Sequence, residues 1–227
     1  MSGNKRNSTK AIRRCIDICM TILMLCLMAY QVTGEVFHEW IGIGMTALVI
    51  VHQILNRKWY SAIIKGRYTL LRAWILCIDV LLLISFAVNA ICGISMSSHA
   101  MPFMYGLLPI AFARTMHLAL SHWSFIFMGL HIGIHIPSMT AGIKLNTITR
   151  TVICVLFFIM SGVGFFIFIR SGIINYLTFK VHFAFLDYDK ASVLVFIENT
   201  LMLLFWSFIG MQIFNLFKNG KGVRDEA

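Results

Sequence analysis

Six long apolar stretches are the feature that most restricts how this chain of 227 residues can fold. They cover residues 16–32, 38–55, 70–94, 112–136, 151–169 and 193–217. Each is long enough to cross roughly 30 Å of hydrocarbon as a helix, and helices keep their backbone polar groups hydrogen-bonded in lipid. With 59% hydrophobic and 12% charged residues, the composition is also that of a membrane protein. The sequence predicts an all-α, polytopic membrane protein with six transmembrane helices.

The distribution of basic residues predicts the orientation of these helices. The formal net charge is +10, and 15 of the 19 Lys and Arg residues fall in segments that lie inside if the N-terminus is cytoplasmic. The four on the outer side are Arg114, Arg170, Lys180 and Lys190. This asymmetry follows the positive-inside rule and places both termini in the cytoplasm, as in a multi-pass protein of a bacterial inner membrane. The basic excess then faces anionic membrane lipid, and nucleic acid is not needed to explain it.

Histidines occur in only two of the six stretches. They are His38, His52, His117, His122, His131 and His135. Ionisable side chains are costly inside a bilayer and by default face a bundle interior. His38 and His52 are fourteen residues apart, and so are His117 and His131. Over that interval a helix advances about 21 Å and returns to within about 40° of the same face.

The second and fourth stretches run in the same direction, so their histidines pair by level. His38 is expected opposite His117 near the outer face, and His52 opposite His131 near the inner face. Two stacked bis-imidazole sites of this kind can hold two haem irons in a helix bundle. These four residues are the predicted metal ligands. His135 is aligned with His117 and is an alternative inner ligand, although the vertical spacing favours His131.

Gly42 and His122 complete the predicted surroundings. Gly42 lies one turn below His38 on the same face, where it either gives a porphyrin room against the backbone or allows close helix packing. His122 is rotated about 140° from His117 and is predicted to pack or to form a hydrogen bond. The six cysteines form no Cys-x-x-Cys-His pattern, so covalent c-type attachment of a haem has no anchor in this chain.

Acidic residues near the histidines allow several roles. Asp79, within the third stretch, is predicted to orient a ligand imidazole, to accept a proton from a quinol, or to hydrogen-bond a neighbouring helix as a neutral carboxyl. Asp17 is expected to pair with a neighbouring arginine. A metal ion bound by His131 and His135 is a minor alternative. A haem-free transporter or proton channel would instead use Asp79, Glu198 and the histidine column.

Several motifs resemble those of a known family. They are Asp17 followed by TGEVFHEWIGIG and VHQILNRKWY, then CGISMSS, then ARTMHLALSHWSFIFMGLHIGIH. Over about residues 12–136 the chain is similar to the flavinylation-associated cytochromes, which are small bacterial membrane haem b proteins. The resemblance implies a cytochrome b-like four-helix core, with ligands at His38, His52, His117 and His131. It also implies electron transfer to extracytosolic proteins that carry covalent FMN. Ile136 and Pro137 replace an aromatic found after the last histidine in many members, so the role of His135 stays open.

The sequence thus predicts a transmembrane di-haem b cytochrome rather than a self-sufficient enzyme. Electrons would pass from a quinol or a cytoplasmic-side reductase to an extracytosolic acceptor that carries FMN. The alternative is the quinone-reactive cytochrome b subunit of a respiratory dehydrogenase. The predicted organisation has four parts: a disordered cytoplasmic head (residues 1–11), a haem-binding core (12–136), two further helices with a long outer loop (137–217) and a cytoplasmic tail (218–227).

Overall fold

The computed structural model describes residues 2–222, and it describes the side chains of residues 10–219. This part of the chain has eight α-helices and no strands. The helices are α1 (Ser2–Met28), α2 (Tyr30–Leu55), α3 (Lys58–Ile63), α4 (Leu70–Met96), α5 (Ile110–Thr140), α6 (Thr147–Arg170), α7 (Ile173–Leu177) and α8 (Ser192–Gly222). A short 3₁₀ turn at Pro102–Met104 lies between α4 and α5. The all-α prediction is confirmed.

Five of the helices are long and apolar enough to cross a membrane, namely α2, α4, α5, α6 and α8. Their bounds match the predicted stretches to within a few residues, except that α2 begins eight residues before residue 38. The chain therefore has the architecture of a multi-pass membrane protein. The first predicted stretch, residues 16–32, is divided between the end of α1 at Met28 and the start of α2 at Tyr30. The sixth span stays a prediction.

The predictions for the chain ends are only partly covered. Helix α1 begins at Ser2, within the head for which disorder is predicted, but the side chains of residues 2–9 lie outside the described part. Helix α8 extends to Gly222, and residues 223–227 of the predicted tail are not described. The disorder of the head and the cytoplasmic position of the tail both remain predictions.

The chain folds back at Gly34, inside the bounds of α2, so that the rest of α2 packs against α1. This residue has φ 70° and ψ 173°, which interrupts the helical backbone of α2. Glycine adopts a positive φ without a steric penalty because it has no Cβ. Regular helix therefore resumes after Gly34, close to the predicted start at residue 38.

The packing of the long helices forms two groups, one of α1 and α2 and the other of α4, α5, α6 and α8. Helix α1 packs on α2, whereas α5 packs on both α4 and α8, and α6 packs on α8. Helices α2 and α5, which carry the histidines, meet through His38 and His117 but have little direct backbone packing between them. Met45 is the one fully buried residue of α2. The two histidine helices therefore face each other across a loosely packed interior.

Glycines bring α5, α6 and α8 into close backbone contact. A Cβ at Gly133 of α5 would overlap the carbonyl oxygen of Ser207, and one at Gly210 of α8 would overlap that of Leu130. Gly164 of α6 approaches the Leu201 carbonyl in the same way. Small residues that let helices approach closely are a common basis of packing in membranes. The last spans are thus joined tightly to the histidine helix α5.

Replacing Gly133 with alanine is expected to lower the thermal unfolding temperature of the purified protein in detergent. The added methyl group forces α5 and α8 apart, and overpacking of this kind costs about 1–3 kcal/mol. Gly162→Ala on α6 is the matched control, because a Cβ there meets nothing within 4 Å. Equal shifts in the two variants would contradict the close approach at Gly133.

The bundle has two ends that are named here by their histidines. The His38 end contains the α1–α2 reversal, the segment between α4 and α5 (residues 97–109) and the segment between α6 and α8 (residues 171–191). The His52 end contains the segment from residue 56 to residue 69 and the short connection at residues 141–146.

Candidate functional site

At the His38 end, the rings of His38 and His117 face each other across the gap between α2 and α5. Their ring centres are 6.0 Å apart, and the ring planes are inclined by 77°. This separation and inclination are those of an edge-to-face ring contact. The structure therefore brings together the two residues that are predicted to pair at this level, and their role as ligands stays a prediction.

His117 is held in one orientation by α4. Its Nδ1 lies 3.1 Å from the backbone carbonyl oxygen of Asn89. A carbonyl only accepts, so Nδ1 carries the hydrogen and Nε2 keeps a free lone pair for a metal. The ring also lies against Gly93, where a Cβ would come within 3.1 Å of His117 Cε1. Neither Asn89 nor Gly93 is assigned this role by the sequence.

His38 is less constrained than His117. Its Nδ1 is buried and has no hydrogen-bond partner among the described residues. The ring of Tyr30 packs edge-on against it at a centroid distance of 5.0 Å. A buried polar atom without a partner carries an energetic cost. Since no hydrogen bond at Nδ1 fixes the tautomer of His38, either of its ring nitrogens can serve as the ligand atom.

Gly42 has open space beside it rather than a neighbouring helix backbone. A Cβ at Gly42 would meet only Leu27 Cδ2, at 3.9 Å, and one at Gly44 would meet nothing within 4 Å. The glycines of the α5–α8 contact, in contrast, abut backbone atoms. Close packing of helix backbones therefore does not account for Gly42, and its predicted contact with a porphyrin stays a prediction.

At the His52 end, His52 pairs with a carboxylate of α1. Its Nδ1 donates to Asp17 Oδ1 at 2.9 Å, and Asn56 Nδ2 lies 3.3 Å from its Nε2. The expectation that Asp17 pairs with an arginine is wrong, because Arg13 instead donates to the Leu55 carbonyl. Asp17 thus fixes the tautomer in which Nε2 of His52 is unprotonated, and that nitrogen accepts from the Asn56 amide, which a bound metal ion would have to displace.

His131 has an equivalent carboxylate partner on α4. Its Nδ1 donates to Asp79 Oδ1 at 2.8 Å, and the second oxygen of Asp79 accepts from Trp59 Nε1 at 3.0 Å. A histidine that ligates a metal through one nitrogen commonly donates its other N–H to a carboxylate or carbonyl. Of the three predicted roles of Asp79, this geometry favours orientation of the imidazole.

His135 also belongs to the cluster at this end. Its ring centre is 4.6 Å from that of His131, at an interplanar angle of 62°. Ligand atoms of Asp79, His131 and His135 lie within 4.8 Å of one another. Asp17 and His52 are near enough to interact electrostatically with His135. The structure thus groups both candidates for the inner ligand around Asp79, with His135 in electrostatic range of His52, and the choice between them stays open.

His122 is separate from both pairs. Its ring stacks on Tyr176 of α7 at 4.6 Å with an interplanar angle of 6°, and its Nδ1 lies 2.7 Å from the Leu118 carbonyl. The prediction that His122 packs and forms a hydrogen bond is confirmed.

Glu39 has a role that the sequence analysis misses. It follows His38 directly, and its carboxylate accepts from the backbone N–H groups of Ser98, His99 and Ala100 and from the Ser97 hydroxyl, at 2.8–3.1 Å. Only 10% of the Glu39 side chain is exposed. The carboxylate thereby fastens α2 to the segment that follows α4. The sequence offered one indication of this role, namely that Glu39 directly follows a predicted ligand, His38.

Glu39→Gln is expected to loosen the segment at residues 97–100. Whichever oxygen becomes the amide nitrogen, at least one backbone donor then faces another donor, which costs about 1–3 kcal/mol. Hydrogen–deuterium exchange at residues 98–100 should accelerate. Glu35→Gln is the control, since its carboxylate contacts this segment only through the Ser98 hydroxyl at 3.3 Å and a more distant His99. Unchanged exchange in Glu39→Gln would refute the fastening role.

The segment at residues 171–191 covers the His38 end. It is anchored to α2 by hydrogen bonds between Gln31 and the backbone of Asp187, and to α5 by a contact of 3.1 Å between Thr115 Oγ1 and His182 Nδ1. Trp123 also donates to the Leu177 carbonyl. The segment therefore crosses from one histidine helix to the other above the His38–His117 pair.

The donor set present fits two bis-histidine haem sites. At the His38 end, the rings of His38 and His117 face each other, and Nδ1 of His38 has no hydrogen-bond partner among the described residues. At the His52 end, His52 and His131 each donate Nδ1 to a carboxylate; Nε2 of His131 is left for a metal, whereas that of His52 would be available only if the Asn56 amide turned away. No family model, curated protein or solved structure matches the chain. The resemblance to flavinylation-associated cytochromes is therefore an expectation from sequence motifs alone.

Proposed function

We propose that the protein is a transmembrane electron-transfer cytochrome that binds two b-type haems. The observation that carries the proposal is the His38–His117 pair: the two rings face each other between α2 and α5, and His117 donates Nδ1 to a carbonyl and keeps Nε2 unprotonated, so these two residues would hold an iron between them. When bound, the two haems would supply one-electron redox chemistry at two levels of the membrane.

The chain's own residues would fix the ligands and select their reactive nitrogens. His117 donates Nδ1 to a backbone carbonyl, whereas His52 and His131 donate theirs to carboxylates. Partners of this kind orient a ligand imidazole and raise its basicity, and the anionic partners do so more strongly. The two ends therefore differ in ligand environment: a neutral acceptor at the His38 end and two carboxylates at the His52 end. This asymmetry supports different reduction potentials at the two levels.

The charge distribution supports the orientation of the pathway in the membrane, and the family resemblance suggests the direction of electron flow. Basic residues concentrate in the segments at the His52 end, which we place in the cytoplasm of a bacterium, with six spans and both termini inside. Electrons from a membrane quinol or a cytoplasmic-side reductase would enter at the His52 end. They would leave at the His38 end toward an extracytosolic protein that carries FMN, as the family resemblance implies.

An optical spectrum of the purified protein, oxidised and reduced with dithionite, tests the proposal. We expect low-spin b-type bands and about two haems per chain by pyridine haemochrome assay. A colourless protein from haem-replete cells would overturn the proposal and favour a haem-free transporter or channel.

A mononuclear metal site is the second candidate, because Asp79, His131 and His135 present ligand atoms within 4.8 Å of one another. Such a site would occupy His131 and leave the His38–His117 pair unexplained. Elemental analysis of the same sample separates the two: stoichiometric zinc or manganese with no haem would favour the metal site.

A further inference from the structure

A cleft at the His52 end lies next to the inner histidine cluster. It has a volume of about 260 Å³ and is formed by α3, the connection to α4 and the first two turns of α4. Most of its lining is apolar or aromatic, with Trp59 on one side and Ile75 on the other. Small-molecule sites are typically apolar clefts with a few polar groups, at about 300–1,000 Å³. The cleft is slightly smaller than this range, so it has room for a ring-sized group rather than a whole drug-sized molecule.

One wall of the cleft leads directly to His131. Trp59 lines the cleft and donates its indole N–H to Asp79, and Asp79 accepts from His131 Nδ1. Asp79 lies one helical turn beyond Ile75 on α4. A molecule in the cleft would therefore be separated from the predicted inner ligand by only two side chains.

The polar groups of the cleft favour a neutral ring over a phosphate. The Arg72 guanidinium donates to the carbonyls of Arg67 and Ala62, and it stacks 4.4 Å from the centre of the Tyr68 ring. Thr69 accepts from the Arg72 backbone N–H, which leaves its hydroxyl hydrogen to donate to a ligand. Among the described residues, the only cation in the lining already donates to protein carbonyls, and the Thr69 hydroxyl is free to donate. This set of groups suits an apolar ring that carries a carbonyl acceptor.

Apolar side chains near the cleft are exposed on the protein surface. Ile64 is 89% exposed and Leu70 is 69% exposed, and both are next to lining residues in the chain. The cleft is at the start of α4, a helix long and apolar enough to cross the membrane. A ligand with an apolar tail could keep the tail in the bilayer while its ring enters the cleft.

We propose that this cleft binds the head group of a membrane quinone, which would identify the electron donor as a quinol. The redox part of this inference rests on the proposed function, whereas binding does not. Oxidation of the quinol breaks its two O–H bonds, releases two protons to water and yields two electrons. If haem is bound as proposed, its ferric iron would accept these electrons one at a time and become ferrous.

Photolabelling of the full-length protein in lipid nanodiscs tests the binding. The probe is an azido-1,4-naphthoquinone, and labelled peptides are located by mass spectrometry. We expect labelling within residues 59–76 that excess 2-methyl-1,4-naphthoquinone suppresses. Ala62→Trp fills the cleft and should reduce labelling by about tenfold or more, whereas Ala73→Trp, also exposed but outside the lining, should change it by less than about twofold.

The outcomes distinguish this proposal from the cytochrome itself. Labelling elsewhere, or labelling that neither the competitor nor Ala62→Trp reduces, would overturn the quinone site even in a haem-loaded protein. Loss of labelling in nanodiscs of phosphatidylglycerol but not of phosphatidylcholine would assign the cleft to an anionic headgroup and overturn it too. Specific labelling of a colourless protein would keep the quinone site and reject the haems.

Discussion

His117→Ala is expected to lower the haem content of the purified protein from about two to about one per chain. The alanine removes one axial ligand and leaves His38 opposite an empty position. The remaining haem, at the His52 end, should keep a low-spin spectrum. Haem quantification, together with a redox titration that shows one component instead of two, measures the result.

His122→Ala is the matched control for His117→Ala. Both residues are on α5, five positions apart, and both rings are largely enclosed. His122 stacks on Tyr176 and points away from His38, so its loss should affect stability but not the number of haems. Equal haem loss in both variants would mean that general destabilisation explains the effect. Retention of two haems in His117→Ala would reject His117 as a ligand.

The levels of the histidines were predictable from the sequence because helix geometry is regular. A separation of fourteen residues on two parallel helices sets equal heights, and the His38–His117 contact appears where that rule places it. The bounds of the long apolar helices were predictable for a similar reason. A bilayer sets the minimum length of a span, and the polar connections limit where each one ends.

The partners of the histidines were not predictable in the same way. Asp17 and His52 are 35 residues apart, and Asp79 and His131 are 52 apart, so each contact depends on how the helices rotate about their axes. The carbonyl that fixes His117 is a backbone group, which carries no signal in residue type. The contact of α8 with α5 depends on glycines whose packing role is visible only once the neighbouring backbone is known.

The division of the bundle also follows from these contacts. Helices α5 and α8 are fixed to each other by backbone contact, while α2 is connected to α5 mainly through a facing pair of rings. A planar ligand between α2 and α5 would supply packing that the side chains do not. Loss of ligands should therefore destabilise α2 more than α5, and the glycine contacts should keep α5 in place.

The variants His131→Ala and His135→Ala are expected to differ in haem content, and the difference identifies the inner ligand. His131 is the predicted ligand because Asp79 holds its Nδ1 at 2.8 Å, which leaves Nε2 for the iron, whereas His135 forms no hydrogen bond of this kind among the described residues. His131→Ala should retain about one haem per chain and His135→Ala about two.

Asp79→Asn refines this comparison, since the amide still reaches His131 but carries no negative charge. If His131 is the ligand, replacing its anionic partner by a neutral amide should raise the reduction potential of the inner haem while two haems per chain are retained. The opposite pattern, with haem lost in His135→Ala and kept in His131→Ala, would transfer the ligand role to His135. Asp79 would then act on the iron through its charge alone and not through a hydrogen bond to the ligand, and Asp79→Asn should raise the potential by less. Helix spacing alone does not distinguish His131 from His135, which are one turn apart. The effect of the Asp79 charge on the reduction potential does.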